Sequence, residues 1–247
     1  MHEGFSHISA AGLDDRRPVT TIKKCEDGRT HENRLKTRLR VEGIQISRAR
    51  SEFLFEEDQP ANEIYLLSEG AVGIAASCGD CAPHVLSIVA PRSLIVPAVR
   101  DDGTARYSAK CLCDCTFWAL SRHAAHRMAI AEPAIMRALG DNLGQTIDRA
   151  HNQLLNLLCR HGPARVASLL CQLDEDFRRF DDDGETANRD AEWAEISQVD
   201  LAAALGITPV YLNQILKKMK QDGILNLKSG KIKSVSITAL KIISGEQ

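Results

Sequence analysis

Between residues 41 and 120 the apolar positions fall in short runs of β-forming residues, at 53–55, 64–67, 71–74, 84–89 and 94–96, separated by Gly, Asp and Pro. Short strands at this spacing, with no helical period between them, predict an all-β sandwich or barrel. Near Ile130 the period changes. Met136, Leu139, Leu143, Ile147, Ala150, Leu154 and Leu157 recur at intervals of 3, 4, 4, 3, 4 and 3, opened by Glu132-Pro133 and closed by Gly162-Pro163. This predicts one helix of about 28 residues, roughly 42 Å long at 1.5 Å per residue. One small barrel cannot bury a stripe of that length. Its heptad-like spacing predicts a dimer seam with a second copy, with packing inside the chain as the alternative.

Outside these two blocks the pattern is weaker. Residues 1–40 are polar, with turn signals at Gly12, Pro18 and Gly28, and predict a loose lead-in with one short helix near 32–40. A second amphipathic helix is expected at 164–173, followed by an acidic stretch at 174–190 that reads as a solvated loop. Asp181-Asp182-Asp183-Gly184 lacks the ligand spacing of a calcium loop.

The most informative stretch is 197–221. Ser197 is an N-cap candidate and Asp200 places an acid in the first turn of a helix over 198–205. Gly206 ends that helix, and Thr208 caps a second one with Pro209 at its first position. A helix-turn-helix needs a small residue where its helices touch, a glycine in the turn and apolar residues on the inner face of the second helix. Ala202, Gly206, Leu212 and Ile215 meet those needs. Residues 225–235 then read as a hairpin with a Ser-Gly turn, a wing. Between Thr208 and Lys233 there are six lysines and one acid, Asp222. Thr208, Tyr211, Lys217, Lys218 and Lys231 are placed to meet phosphates. Val210, Asn213 and Gln214 can face base edges, and Ser197 opens the motif.

Composition narrows the alternatives. The 247 residues carry 31 Lys+Arg against 33 Asp+Glu, a net charge of −2. That excludes nucleic-acid binding by bulk charge but leaves a local basic face. A hydrophobic fraction of 44% with 26% charged residues excludes disorder and collagen-like structure. The apolar runs fall short of the ~20 residues a membrane span needs. Without a basic and apolar leader at Met1, the expected location is the cytoplasm. No nucleophile–base–acid spacing and no glycine-rich phosphate loop point to an enzyme.

The order of β-rich domain, long helix and winged helix-turn-helix resembles the Crp–Fnr superfamily of transcription regulators. Two stretches carry the resemblance: Phe53-Leu54-Phe55-Glu56-Glu57-Asp58-Gln59-Pro60-Ala61-Asn62-Glu63-Ile64-Tyr65-Leu66-Leu67-Ser68-Glu69-Gly70-Ala71-Val72 and Asp200-Leu201-Ala202-Ala203-Ala204-Leu205-Gly206-Ile207-Thr208-Pro209-Val210-Tyr211-Leu212-Asn213-Gln214. The resemblance implies an α+β chain: a polar lead-in at 1–40, a β-roll (jelly-roll-like) sensor domain at 41–130, a dimerisation helix at 131–161 and a winged helix-turn-helix at 162–247. It implies double-stranded DNA, a second copy of the chain and RNA polymerase as partners, and no membrane. Two departures matter. Where cyclic-nucleotide-binding members carry Gly-Glu-x-Ala, this chain has Pro91-Arg92-Ser93-Leu94-Ile95-Val96-Pro97-Ala98, whose prolines remove amide donors. Cyclic AMP is therefore not expected. Arg92, Ser93, Arg106 and Ser108 remain as candidate effector contacts. At the recognition helix Gln214 replaces a common arginine and Val210 a glutamate, which predicts an operator unlike the family's best-known half-sites.

The eight cysteines are too sparse for a disulfide scaffold. Alternation puts Cys111, Cys113 and Cys115 on one face of a strand, and Cys78-Gly79-Asp80-Cys81 reads as a hairpin. Three readings stand side by side: small core hydrophobes, a thiol redox switch, or ligands for zinc or an iron–sulfur cluster. Cys25 is the one cysteine near the N-terminus, where iron–sulfur members of the family hold their cluster.

Overall fold

The computed structural model describes residues 28–77, 83–178, 196–228 and 231–245. A first helix, α1 (Gly28–Glu42), precedes strands β1 (Ile44–Arg48), β2 (Phe53–Phe55), β3 (Glu63–Glu69), β4 (Val72–Ala76) and β5 (His84–Val89). Strands β6 (Leu94–Ile95), β7 (Ser108–Cys111) and β8 (Cys115–Ser121) complete the β-domain. Helices α2 (Arg122–Ala131), α3 (Pro133–Cys159) and α4 (Gly162–Arg178) follow. The chain then forms α5 (Gln198–Leu205), α6 (Pro209–Gln221), β9 (Leu225–Lys228), β10 (Lys231–Val235) and α7 (Ile237–Ser244).

Among the described residues the first eight strands make two antiparallel sheets, ordered β1-β8-β3-β6 and β2-β7-β4-β5. Strand β3 shows why they face each other. Its residues Ile64, Tyr65, Leu66 and Leu67 are all buried, yet alternate residues point to opposite faces. Tyr65 and Leu67 enter the core between the sheets with Leu54, Val72, Ile88 and Phe117. The Tyr65 ring stacks on Phe55 of the other sheet at 6.0 Å and meets Phe117 edge-on at 6.4 Å. Ile64 and Leu66 point the other way, into a second core with Leu35 and Leu39 of α1, Met128 of α2 and Ile135 of α3. Helix α1 thus covers the back of the first sheet, and the short helix expected near 32–40 is its interior.

Two sequence expectations are corrected. The three cysteines do not share one strand: Cys111 ends β7 in one sheet and Cys115 opens β8 in the other, so residues 111–115 turn a corner. Gly70 at φ +95 makes room for that corner, because a Cβ there would lie 2.4 Å from the Asp114 carbonyl oxygen. The acidic stretch is no loop at its start. Asp174 and Asp176 belong to α4 and are buried, and Arg149 of α3 donates to Asp176 at 2.8 Å. The Asp181–Asp183 run lies outside the described residues. Helix α7, which sequence patterning left unassigned, buries Leu240 and begins the turn after the wing.

Candidate nucleic-acid interface

Local signals build the C-terminal motif. The Ser197 hydroxyl accepts from the Asp200 N–H at 3.1 Å and donates to the Asp200 carboxylate at 2.5 Å, so cap and first-turn acid serve each other. Gly206 takes φ +61, the left-handed conformation that ends a helix without strain. Thr208 accepts from the Tyr211 N–H at 3.2 Å and starts α6. The axes of α5 and α6 bend by 104°, within the range of a helix-turn-helix. Ala202 lies fully buried where the helices meet, facing Leu212, Ile215, Leu216 and Met219 of α6.

Burying those four residues leaves the opposite face of α6 to solvent. Val210 is 70% exposed, and Gln214, Lys217, Lys218 and Lys220 are exposed beside it. Lys218 and Lys220 occupy the last turn, where the helix dipole favours cations. Of the remaining expected contacts, Ser197 and Thr208 cap the two helices, and Asn213 and Tyr211 meet other helices of the same chain. Asn213 donates from Nδ2 to Gln198 Oε1 at 3.1 Å, tying the two helices together. Tyr211 folds back toward Gly162, where an added Cβ would lie 2.5 Å from its hydroxyl oxygen. Lys231 is in β10, with its side chain outside the described residues.

Two residues escaped the sequence reading. Gln153 of α3 donates from Nε2 to the Ala204 carbonyl at 3.3 Å, and the Arg165 guanidinium of α4 donates to the Leu205 carbonyl. Nothing in their local sequence marks them, because their partners are 51 and 40 residues away.

The candidate effector residues are dispersed in their bonding. Arg92 has φ +55, its N–H donates to Leu67, and the Ser93 carbonyl accepts from the Leu67 N–H at 3.1 Å. The Arg106 N–H donates to Ala98 at 2.8 Å, and the Ser108 hydroxyl accepts from the Glu57 N–H at 2.9 Å. Residues 96–107 are loop and isolated bridges, with no helix turn presenting amides to an anion.

Cys111, Cys113 and Cys115 are buried in the inter-sheet core. Cys115 lies 3.3 Å from the Ala71 carbonyl and 3.2 Å from that of Cys113. The thiols of Cys111 and Cys115 share a hydrogen bond that lowers the pKa of the first and pushes the second up to about 12, with burial adding to the rise. Among the described residues no three His, Cys, Asp or Glu side chains converge as metal ligands. Cys25, Cys78 and Cys81 lie outside them.

Along α3, Met136, Leu143, Ile147, Ala150, Leu154 and Leu157 are exposed, while Leu139 is half-buried against the α1–α3 core. Among the described residues no single helix is long and apolar enough to cross a membrane; the one bent pair that passes by composition is α5 with α6.

Comparison with known proteins agrees with this architecture. The model of the Crp-like helix-turn-helix domain matches residues 164–243. The HTH-type transcriptional regulator Cmr of Mycobacterium tuberculosis is 28% identical over 181 residues, covering 70% of this chain and only 65% of that protein. The CRP-like cAMP-activated global transcriptional regulator of the same species is 24% identical over 190 residues, covering 76% of this chain and 81% of that one. The structure of FixK2 from Bradyrhizobium japonicum shares the fold at a TM-score of 0.70 and 20% identity, over 81% of this chain and 96% of that one. A CooA mutant from Carboxydothermus hydrogenoformans does so at 0.64 and 18%, over 84% and 90%. Residues 164–243 are thus similar to the Crp-like helix-turn-helix domain, and the order of β-domain, long helix and helix-turn-helix is the fold shared with these solved structures.

Proposed function

We propose that the chain is a transcription regulator that binds a palindromic DNA operator as a homodimer through α6. The observation that carries this reading is the solvent face of α6, where Val210, Gln214, Lys217 and Lys218 stand free on a helix braced from behind. Gln214 offers one donor and one acceptor, the complement of adenine N6 and N7. The lysines supply charge to phosphates. The exposed stripe on α3 supports pairing with a second copy, because a helix of that length leaves its apolar row uncovered in one chain. RNA polymerase is the further partner this reading implies, and binding rather than catalysis is the activity.

The effector is a different matter. Pro91 and Pro97 remove two amide donors and the Arg92 amide is bonded to Leu67, so among the described residues these three amides are not offered to an anion, which supports an effector other than a cyclic nucleotide. Cyclic AMP, named for one relative, is not the ligand in this reading. The burial of Cys111, Cys113 and Cys115 supports a structural role for these thiols over a redox switch.

The test is selection from random duplex DNA with the full chain. Recovery of a palindrome with half-sites about 10 bp apart supports the proposal. Binding with no sequence preference, or none at all, rejects it. Calorimetric titration with millimolar cyclic AMP should show no specific heat.

A further inference from the structure

The last turn of a helix leaves carbonyls without intrahelical donors. In α5 the Ala202 and Ala203 carbonyls accept from the N–H groups of Ile207 and Gly206 across the turn. The next two are taken by residues from outside the DNA-binding motif. Gln153 of α3 donates to Ala204, and Arg165 of α4 donates to Leu205. The Arg165 charge also lies at the negative end of the α5 dipole. On the other side of the turn, Tyr211 in the first turn of α6 lies over Gly162, the first residue of α4. A Cβ on Gly162 would stand 2.5 to 2.9 Å from three atoms of the Tyr211 phenol. Gly162 has no positive φ, so its small size serves this close approach alone. Helix α3 ends at Cys159 and α4 starts at Gly162, so all these contacts radiate from one corner at the end of the long helix.

We infer that Gln153, Arg165 and the Gly162–Tyr211 contact form a mount that fixes the angle of the recognition helix to the long helix, and so sets the operator spacing that the protein accepts. They are positioning residues. This inference rests on the reading that the chain binds DNA as a homodimer through α3 and α6. Two recognition helices hold a fixed separation only if each is rigid with respect to the dimer seam. One inserted base pair moves a half-site by about 3.4 Å and turns it by about 36°. A rigid mount refuses that change and a loose one follows it.

The experiment uses the operator selected by the full-length wild-type protein and derivatives whose central spacing is changed by one or two base pairs. Wild type should bind the altered spacings at least about tenfold more weakly. Gly162→Ala and Arg165→Ala should lose that discrimination, to within about threefold, while keeping the base preference inside each half-site. Placing Gly162→Ala in a Tyr211→Ala background should cause no further change, because the three atoms nearest the added methyl all belong to the Tyr211 phenol. Gln153→Ala removes a single hydrogen bond and carries the same prediction in smaller measure, should Gly162→Ala fold poorly. Variants that discriminate spacing as wild type does would overturn the mount, as would variants that lose base preference and spacing preference together. Failure of wild type to select any operator would instead remove the DNA-binding reading on which it stands.

Discussion

The guanidinium of Arg50, on the turn between β1 and β2, stands 3.6 Å from the carboxylate of Asp200 in the first turn of α5. The same turn is bonded to the cysteine corner: the Arg50 N–H donates to Asp114 at 2.9 Å and the Ser51 N–H to the Cys111 carbonyl at 2.8 Å. Besides the packing of β5 on α5, the β-domain therefore reaches the DNA-binding motif through an ion pair whose arginine side is 52% exposed. Exposed pairs contribute little. Arg50→Ala should change unfolding free energy by no more than about 0.5 kcal/mol. Asp200→Ala should cost more, about 1–2 kcal/mol, because it removes the partner of Ser197 and the acid that faces the helix dipole. Urea unfolding of both variants checks this, and equal losses would contradict it.

Charge placed on the exposed stripe of α3 tests the seam. Leu143 is 61% exposed in the single chain, so the double substitution Leu143→Glu with Ile147→Glu should hardly disturb the fold. At a seam it buries like charges and should yield monomers. Sedimentation velocity reads the mass, and an unchanged dimer would refute the assignment.

Two glycines at positive φ should differ sharply. Gly206→Ala meets its nearest neighbour, an Arg165 nitrogen, at 3.6 Å and should cost only the left-handed backbone strain, about 1–2 kcal/mol. Gly70→Ala adds a collision, with Cys115 Sγ at 2.6 Å as well as the Asp114 oxygen. Strain and overpacking together should exceed about 3 kcal/mol. Comparing denaturant midpoints of the two variants settles the order.

Thiol accessibility follows from burial. Cys159 is exposed, whereas Cys111, Cys113, Cys115 and Cys171 are buried. Brief alkylation of the native protein followed by peptide mass mapping should label Cys159 and spare those four until denaturant is added. Labelling of the corner cysteines as fast as Cys159 would restore the sensor reading.

At the DNA face, Lys217→Ala or Lys218→Ala should weaken binding to all sequences alike and reduce the salt slope by about one. Gln214→Ala should cost about 1–3 kcal/mol at one base pair, and Gln214→Arg should shift that position from adenine to guanine. An identical operator selected by wild type and Gln214→Arg would exclude base readout by Gln214.

What the sequence determined by itself was whatever depends on near neighbours. Ser197, Gly206, Thr208 and Pro209 mark the ends of α5 and α6 because capping and left-handed turns involve residues three or four apart. The stripe from Met136 to Leu157 marked α3 because helical period is local. Tertiary structure decided the rest. Alternation of Cys111, Cys113 and Cys115 is the same whether a strand continues or turns a corner, and only the pairing of β7 and β8 with different sheets distinguishes the two. Asp174 and Asp176 looked solvated because their helix finds its partners, Arg149 among them, far along the chain. Asn213 and Tyr211 were chosen from their positions on one helix, but the bond of Asn213 to Gln198 and the approach of Tyr211 to Gly162 depend on how three helices cross. Local periodicity encodes which face of a helix is apolar. What covers that face is set by contacts between residues distant in sequence, which no local pattern records.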